Sequence, residues 1–500
     1  MKSVSSFITV ALALPIATSA KECKPYVTSE KLQDLITLED LLSAAQTLQD
    51  IADAHGGNRA FGGGGHNATV DWLYDTLTAL DYFDVVKQPF TELFHTAWGT
   101  LTIGGAEVES MSTMTYTPGG TLSAPLVLVS NLGCSVNDFS SEVEGKIAFI
   151  SRGTCSFSQK SLNAKSAGAA AAVVYNNEPG PIAGTLGTPG LDYVPIVGIS
   201  QEDSVAILAA LEAGEVTADF DVTALSEQRV NYNVIAETKG GDHDNVLVLG
   251  GHSDSVYAGP GINDDGSGSI GVLNVAIALS KFRIKNAVRF AFWGAEEYGK
   301  LGSFYYVKQL NSSDTEMAKM RAYLNFDMIA SPNYVYGIYD GDGGAFNFSG
   351  PTGSAEIEKE FEEFYERNGV AHVPAIWSGR SDYAGFIENG IPSGGLFTGA
   401  EVIKTEEEAR LFGGEAGVAY DINYHKAGDD INNLAHDAFL LNTKSIANSV
   451  AKYAISWDSI PSVSSNERRW NADKAQHFKR SAAAHSHSHE GPCGAGGDLI

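Results

Sequence analysis

Positive charge is scarce in this sequence: 33 Lys and Arg stand against 61 Asp and Glu, a formal net charge of −28 over 500 residues. A chain this acidic repels phosphate-rich partners, and no basic stripe with interleaved aromatics interrupts it, so nucleic acid is excluded as a partner. Long apolar runs are missing as well. Past residue 20 no stretch reaches the length that spans a bilayer, which excludes a membrane-spanning protein. Cysteine is nearly absent, with Cys23, Cys134, Cys155 and Cys493 as its four occurrences.

What remains is an ordinary globular composition. With 43% hydrophobic and 19% charged residues, the chain has ample core for two or three domains. Residues 1–20 read as an export signal: Lys2 supplies the charge, residues 7–16 the apolar segment, and Ala17-Thr18-Ser19-Ala20 the cleavage site. Sequons at Asn67, Asn311 and Asn347 agree with a secretory route. The expected product is a secreted, soluble monomer, with the vacuole as the alternative destination. In an oxidising compartment four cysteines read as two disulfides, Cys134–Cys155 locally and Cys23–Cys493 joining the termini, unless a terminal cysteine is trimmed or stays free.

Organisation changes along the chain. Leu38, Leu41, Leu42, Ala45, Leu48, Ile51 and Ala52 follow helical spacing behind a capping box of Thr37 and Asp40. Val70, Leu73, Tyr74, Leu77 and Leu80 form a second stripe. Between them, residues 55–61 and four glycines read as a mobile loop, the alternative being a lip beside a binding site. Residues 110–225 carry short β-rich runs (125–129, 146–150 and 195–199) around a small-residue stretch, 166–174, and hold no cluster of ligands or nucleophiles. From Tyr232 onward, apolar strand candidates at 246–249, 287–293, 322–326 and 390–397 alternate with helical patterns. That alternation marks an α/β domain with a mixed, largely parallel central sheet flanked by helices. A last helix is expected over 434–457. The remainder, 461–500, is a low-complexity tail with dibasic pairs at Arg468-Arg469 and Lys479-Arg480 and a histidine cluster at 485–489.

Chemistry-bearing residues gather at the ends of the strand candidates. His252-Ser253-Asp254 follows one, and Asn263-Asp264-Asp265-Gly266 opens the next helix. The pair Glu296-Glu297 follows Phe292-Trp293, Asp327 follows Phe326, and Tyr424-His425 precedes the last helix. Taken singly, each has a bland explanation as a cap, a turn or a hydrogen-bonded histidine. Together they form one set on the carboxyl edge of a parallel sheet, where such sheets bind ligands. Imidazole and carboxylate donors without thiolate suit zinc in an open, catalytic site. Five donors exceed the needs of one catalytic zinc. Two Zn²⁺ bring four positive charges, and Asp264, Glu297 and Asp327 return three; the unit left over matches a hydroxide nucleophile.

These motifs resemble the di-zinc aminopeptidases of the aminopeptidase Y type. The resemblance runs from roughly residue 30 to 457, and Arg152-Gly153-Thr154-Cys155-Ser156-Phe157 with 168–175 resembles a protease-associated domain inserted in a hydrolase. It implies a zinc-exopeptidase fold divided as follows: peptidase residues at 21–109 and 226–460, with the inserted domain at 110–225. It implies two zinc ions, one served by His252, Asp264 and Asp327, the other by Asp264, Glu297 and His425. Asp254 would orient the His252 ring. Glu296 would be the general base, and Tyr424 would donate to the developing oxyanion. A cis peptide between Asp264 and Asp265 is expected on the same ground. Arg380 resembles a substrate-contacting arginine, the alternative being a salt bridge to Asp382 or a surface site. The activity implied is removal of N-terminal residues, leucine and other apolar ones, from peptides with a free N-terminus. A di-zinc carboxypeptidase of the glutamate-carboxypeptidase type and a receptor-like, non-catalytic binding protein are the competing readings.

Overall fold

The computed structural model describes residues 24–182 and 184–462. The export signal, the Cys23–Cys493 pairing and nearly all of the expected tail lie outside the described residues. Most strands follow one another along one hydrogen-bonded path, with Phe83–Ile103 and Ala106–Glu107 paired beside it. At its centre Asp242–His252 pairs in parallel with Asn286–Trp293 on one side and Met320–Phe326 on the other. Ser393–Phe397 extends the parallel set beyond Met320–Phe326. Gly337–Tyr339 then pairs antiparallel with it, which makes the sheet mixed, as expected.

Residues 246–251 and most of Asn286–Trp293 and Met320–Phe326 are apolar because both faces of these strands are covered. Leu247, Leu249, Val288, Phe290 and Leu324 join one core with the helices Leu38–Ala54, Gly266–Leu279 and His436–Tyr453. Val246, Val248, Ala287, Ala291, Trp293 and Tyr323 point the other way, onto Leu301–Leu310 and Tyr383–Glu388. The expected first helix begins at Leu38 with Thr37 as its cap. Thr37 Oγ1 accepts from the Asp40 N–H at 3.1 Å, while the Asp40 carboxylate accepts from the Thr37 hydroxyl at 2.6 Å, so one side of the expected box forms. The last helix is shorter than its apolar pattern, His436–Tyr453.

The sequence patterns left one large feature unannounced. Phe83–Ile103 and Thr217–Thr238 pair antiparallel along their whole length, from Phe83↔Thr238 to Ile103↔Ala218. One end of this ribbon joins the central sheet through Phe290↔Ala236. The other end pairs with Gly120–Leu128 and leads to Ile147–Ser151, Ala171–Tyr175 and Ile196–Ile199, which carry their own cores. Position 225 falls inside this ribbon. Cys134 and Cys155 form a disulfide in the second module, with Cα atoms 5.7 Å apart. Among the described residues no helix is long and apolar enough to cross a membrane.

Candidate active site

The parallel strands end together, and their ends bring the acids and histidines within bonding distance. His252 closes one strand; Glu296 and Glu297 follow Asn286–Trp293, and Asp327 follows Met320–Phe326. Asp264 enters from the loop that opens Gly266–Leu279, across a cis peptide to Asp265. His425 enters from the loop before the last helix. Three of these turns use left-handed backbone at residues other than glycine: Ala295 (φ 58°), Met328 (φ 52°) and His425 (φ 57°). Each such residue costs about 1–3 kcal/mol and persists only where its surroundings hold it.

The two oxygens of Asp264 face different histidines. Oδ1 lies 3.1 Å from His252 Nε2, and Oδ2 lies 3.2 Å from His425 Nε2. Asp327 Oδ1 is 3.8 Å from His252 Nε2, and Glu297 Oε2 is 2.9 Å from His425 Nε2. The five expected ligands therefore converge as two sets that share Asp264. His252, Asp264, Glu297 and Asp327 are buried. Glu297 Oε1 is buried with no hydrogen-bond partner among the described residues, an uncompensated acceptor of the kind a cation satisfies. Imidazole and carboxylate donors in this arrangement fit zinc.

Electrostatics point the same way. Burial pushes Glu297 up to about 8, opposed by the charge and hydrogen bond of His425 and by the His252 charge. Burial also works against a charged imidazole at His252, yet the Asp254 and Asp264 carboxylates outweigh it, and the pKa rises well above the ordinary value. The cluster draws positive charge inward, as a metal site must. Burial likewise raises Glu296 well above the usual carboxylate range, opposed by the charges on His252 and Lys300.

Asp254 Oδ1 lies 3.6 Å from His252 Nδ1, farther than a hydrogen bond; the ring meets the Asp254 carbonyl at 3.2 Å instead. The same Oδ1 accepts from the Glu296 N–H at 3.1 Å, so Asp254 spans from the histidine to the expected base. Tyr424 stacks on His425 with ring centroids 3.8 Å apart. Arg380 donates to the Tyr424 hydroxyl at 3.0 Å and to Glu401 at 2.6 Å; its carboxylate partner is Glu401 rather than the Asp382 of the alternative reading. A bond accepted from a guanidinium makes the Tyr424 O–H a stronger donor in turn.

Supporting residues surround this set, and their role was not visible in the sequence. Asp265 accepts from the backbone N–H groups of His252 (3.0 Å), Gly268 (2.9 Å) and Met328 (3.0 Å), tying three site segments together. Asp429 accepts from the N–H of Asn263 (2.8 Å) and of Asp264 (3.0 Å). Ser381 donates to Asp327 Oδ2 at 2.6 Å. Residues 55–61, expected as a mobile loop, instead bury Arg59 and Phe61 completely, because Arg59 reaches the carbonyls behind the His252 strand end. Asp265 and Asp429 lay within motifs that attracted notice for other members; Arg59 sat in a glycine-rich stretch with no periodicity to mark it.

Glu296, Glu297, Asp264 and Asp327 form the floor of a cavity of about 310 Å³. Its walls include Val335, Tyr339, Phe346, Ile376, Phe397 and Val402. Glu401 and Glu408 add two more carboxylates, and Arg380 is the only lysine or arginine among the described lining residues.

The model of "Peptidase family M28" matches residues 233–450, and that of the "PA domain" matches 122–207. The chain is 54% identical over 469 residues to the "probable leucine aminopeptidase 2" of Aspergillus oryzae, covering 92% of this chain and 94% of that one. It is 51% identical over 442 residues to the "Leucine aminopeptidase 2" of Trichophyton rubrum, covering 88% of each. Among solved structures, an aminopeptidase from Aneurinibacillus sp. strain AM-1 superposes with a TM-score of 0.65 at 27% identity, over 85% of this chain and 95% of that one. A zinc aminopeptidase from Bacillus subtilis superposes with a TM-score of 0.61 at 25% identity, over 83% and 95%.

Proposed function

The chain belongs to peptidase family M28 and is a zinc-dependent aminopeptidase acting on peptides; from that premise we propose how its residues divide the work. His252, Asp264 and Asp327 would hold one zinc ion, and Asp264, Glu297 and His425 would hold a second. Zinc at such a site supplies a Lewis acid that polarises a carbonyl and eases the loss of a proton from water. Glu296 is the general base: its carboxylate takes the proton of the attacking water and delivers it to the leaving amine. Its burial, which raises its proton affinity, suits a group that must take a proton from water and pass it on. Tyr424 donates to the oxyanion as the carbonyl carbon becomes tetrahedral. Asp254 steadies His252 and the Glu296 backbone together, and Arg380 holds Tyr424 and Glu401 at the substrate side.

The observation that carries the aminopeptidase over the carboxypeptidase reading is the charge of the cavity. With Asp264, Glu297 and Asp327 assigned to zinc and Glu401 paired with Arg380, Glu296 and Glu408 are the carboxylates that remain, and no further lysine or arginine among the described lining residues is placed to receive a substrate carboxylate. That surround attracts a substrate ammonium and repels a substrate carboxylate. The apolar walls favour leucine and similar first residues, at about 1–3 kcal/mol per methylene of fit. Export supports the context: the signal-like residues 1–20 fit it, and Asn67, Asn311 and Asn347 are all exposed for glycosylation. We take the working unit as a secreted monomer without nucleic-acid partners, with residues 110–225 as its inserted domain.

Leu-p-nitroanilide and an N-acetylated dipeptide, each with and without chelator, test this reading. Chelator-sensitive release from the free-amine substrate alone is expected; C-terminal cleavage of the blocked peptide would refute it.

A further inference from the structure

Residues 55–66 carry two buried polar side chains that this chemistry leaves unused. Arg59 is fully buried, and its guanidinium donates to carbonyls rather than to a carboxylate: Nε to Pro260 at 2.8 Å, Nη2 to Gly261 at 2.6 Å, and Nη1 to Ser253. Its backbone joins in, the N–H donating to Ser255 Oγ at 2.9 Å and the carbonyl accepting from the Ser255 N–H at 3.2 Å. His66, also fully buried, meets Ser253 Oγ through Nε2 at 3.0 Å. That hydroxyl donates to the Trp293 carbonyl at 2.9 Å, so the hydrogen of the His66 contact resides on Nε2.

All of these bonds fall on residues 253–261, the segment that joins His252 to the loop of Asp264. Ser253 stands between His252 and Asp254 and is held from both sides. The segment has no slack at its far end: Gly261 has φ 64°, and a Cβ there would lie 2.4 Å from the Asp264 carbonyl oxygen. Desolvating a guanidinium costs several kcal/mol, and packing alone would be served better by an apolar side chain. A rigid planar fork that reads three carbonyls does what packing cannot, because it fixes the curvature of the chain.

We propose that Arg59 and His66 are positioning residues that set the spacing of His252 from Asp264 and hold the zinc site in its binding shape before an ion arrives. The inference rests on the ligand assignment above. Zinc affinity, measured by chelator competition on the metal-free full-length protein beside its thermal melting, tests both. Arg59→Lys keeps the charge and loses the fork, Arg59→Met loses both, and His66→Leu loses the donor; each is expected to bind zinc about 10- to 100-fold more weakly. His66→Gln, which keeps a donor near the Nε2 position, restores affinity close to that of the unaltered chain. Lys160 is the control, a buried cation in the inserted module that donates to the Leu132 and Ser151 carbonyls. Lys160→Met is expected to lower the melting temperature and leave zinc affinity unchanged.

Unchanged affinity in Arg59→Lys and His66→Leu overturns the inference, and so does equal weakening in Lys160→Met. If Arg59→Met does not fold, Arg59→Lys and His66→Leu still decide the matter. Failure of the unaltered protein to take up zinc would instead overturn the ligand assignment.

Discussion

Glu296 and Glu297 are neighbours in sequence with separate surroundings. Both line the cavity, but Glu297 Oε2 faces His425 Nε2 at 2.9 Å, whereas Glu296 is tied through its N–H to Asp254. Glu296→Gln keeps the volume and removes the proton acceptor, so kcat should fall by about 10²–10⁴-fold with zinc content unchanged. Steady-state kinetics beside metal analysis check this, and normal turnover would remove Glu296 from the role of base. His252, Glu297 and Asp327 were legible in the sequence because each sits at the end of an apolar run, where the sheet must deliver it; Asp264 and His425 stand in loops that precede helices and were legible by their motifs. Arg59 and Asp429 act through backbone groups, and His66 through the Ser253 hydroxyl, all far away in sequence, and local pattern carries no record of such partners.

The same contrast holds for the elements. The strands around Asp242–His252 were legible because burial on both faces leaves a continuous apolar signature. The ribbon of Phe83–Ile103 and Thr217–Thr238 was not. Its register joins residues more than a hundred apart, and its middle, around Leu225 to Val230, is largely exposed where it passes between two cores. His95 lies in this ribbon with its ring centroid 5.4 Å from that of Tyr116 and its Nε2 buried without a hydrogen-bond partner among the described residues. Burial lowers its pKa from 6.5 to about 4. The unfolded chain therefore binds the proton more tightly than the folded one. His95 draws on stability as pH falls from about 6.5 toward 4, and contributes no such loss above 6.5. His95→Leu should flatten the fall of melting temperature across that window and raise stability at its acid end. An unchanged pH profile would exclude His95 as its source.

Across the whole molecule, the ribbon makes one sheet of two modules with separate cores. The Cys134–Cys155 bond, spanning 21 positions, closes a loop wholly within the inserted one. Its loss removes about 3 kcal/mol by loop-closure entropy. Replacing both cysteines with serine should lower the melting temperature of the inserted module while zinc content stays at that of the unaltered protein. Differential scanning calorimetry with metal analysis reads both, and loss of zinc would show that the modules do not stand apart energetically. At the other end of the sheet, the two proposed sets of zinc ligands share Asp264. Anomalous diffraction at the zinc edge from crystals of the zinc-loaded protein tests it most directly. Two peaks are expected, one among His252, Asp264 and Asp327 and one among Asp264, Glu297 and His425; a single peak, or peaks away from Asp264, would contradict it.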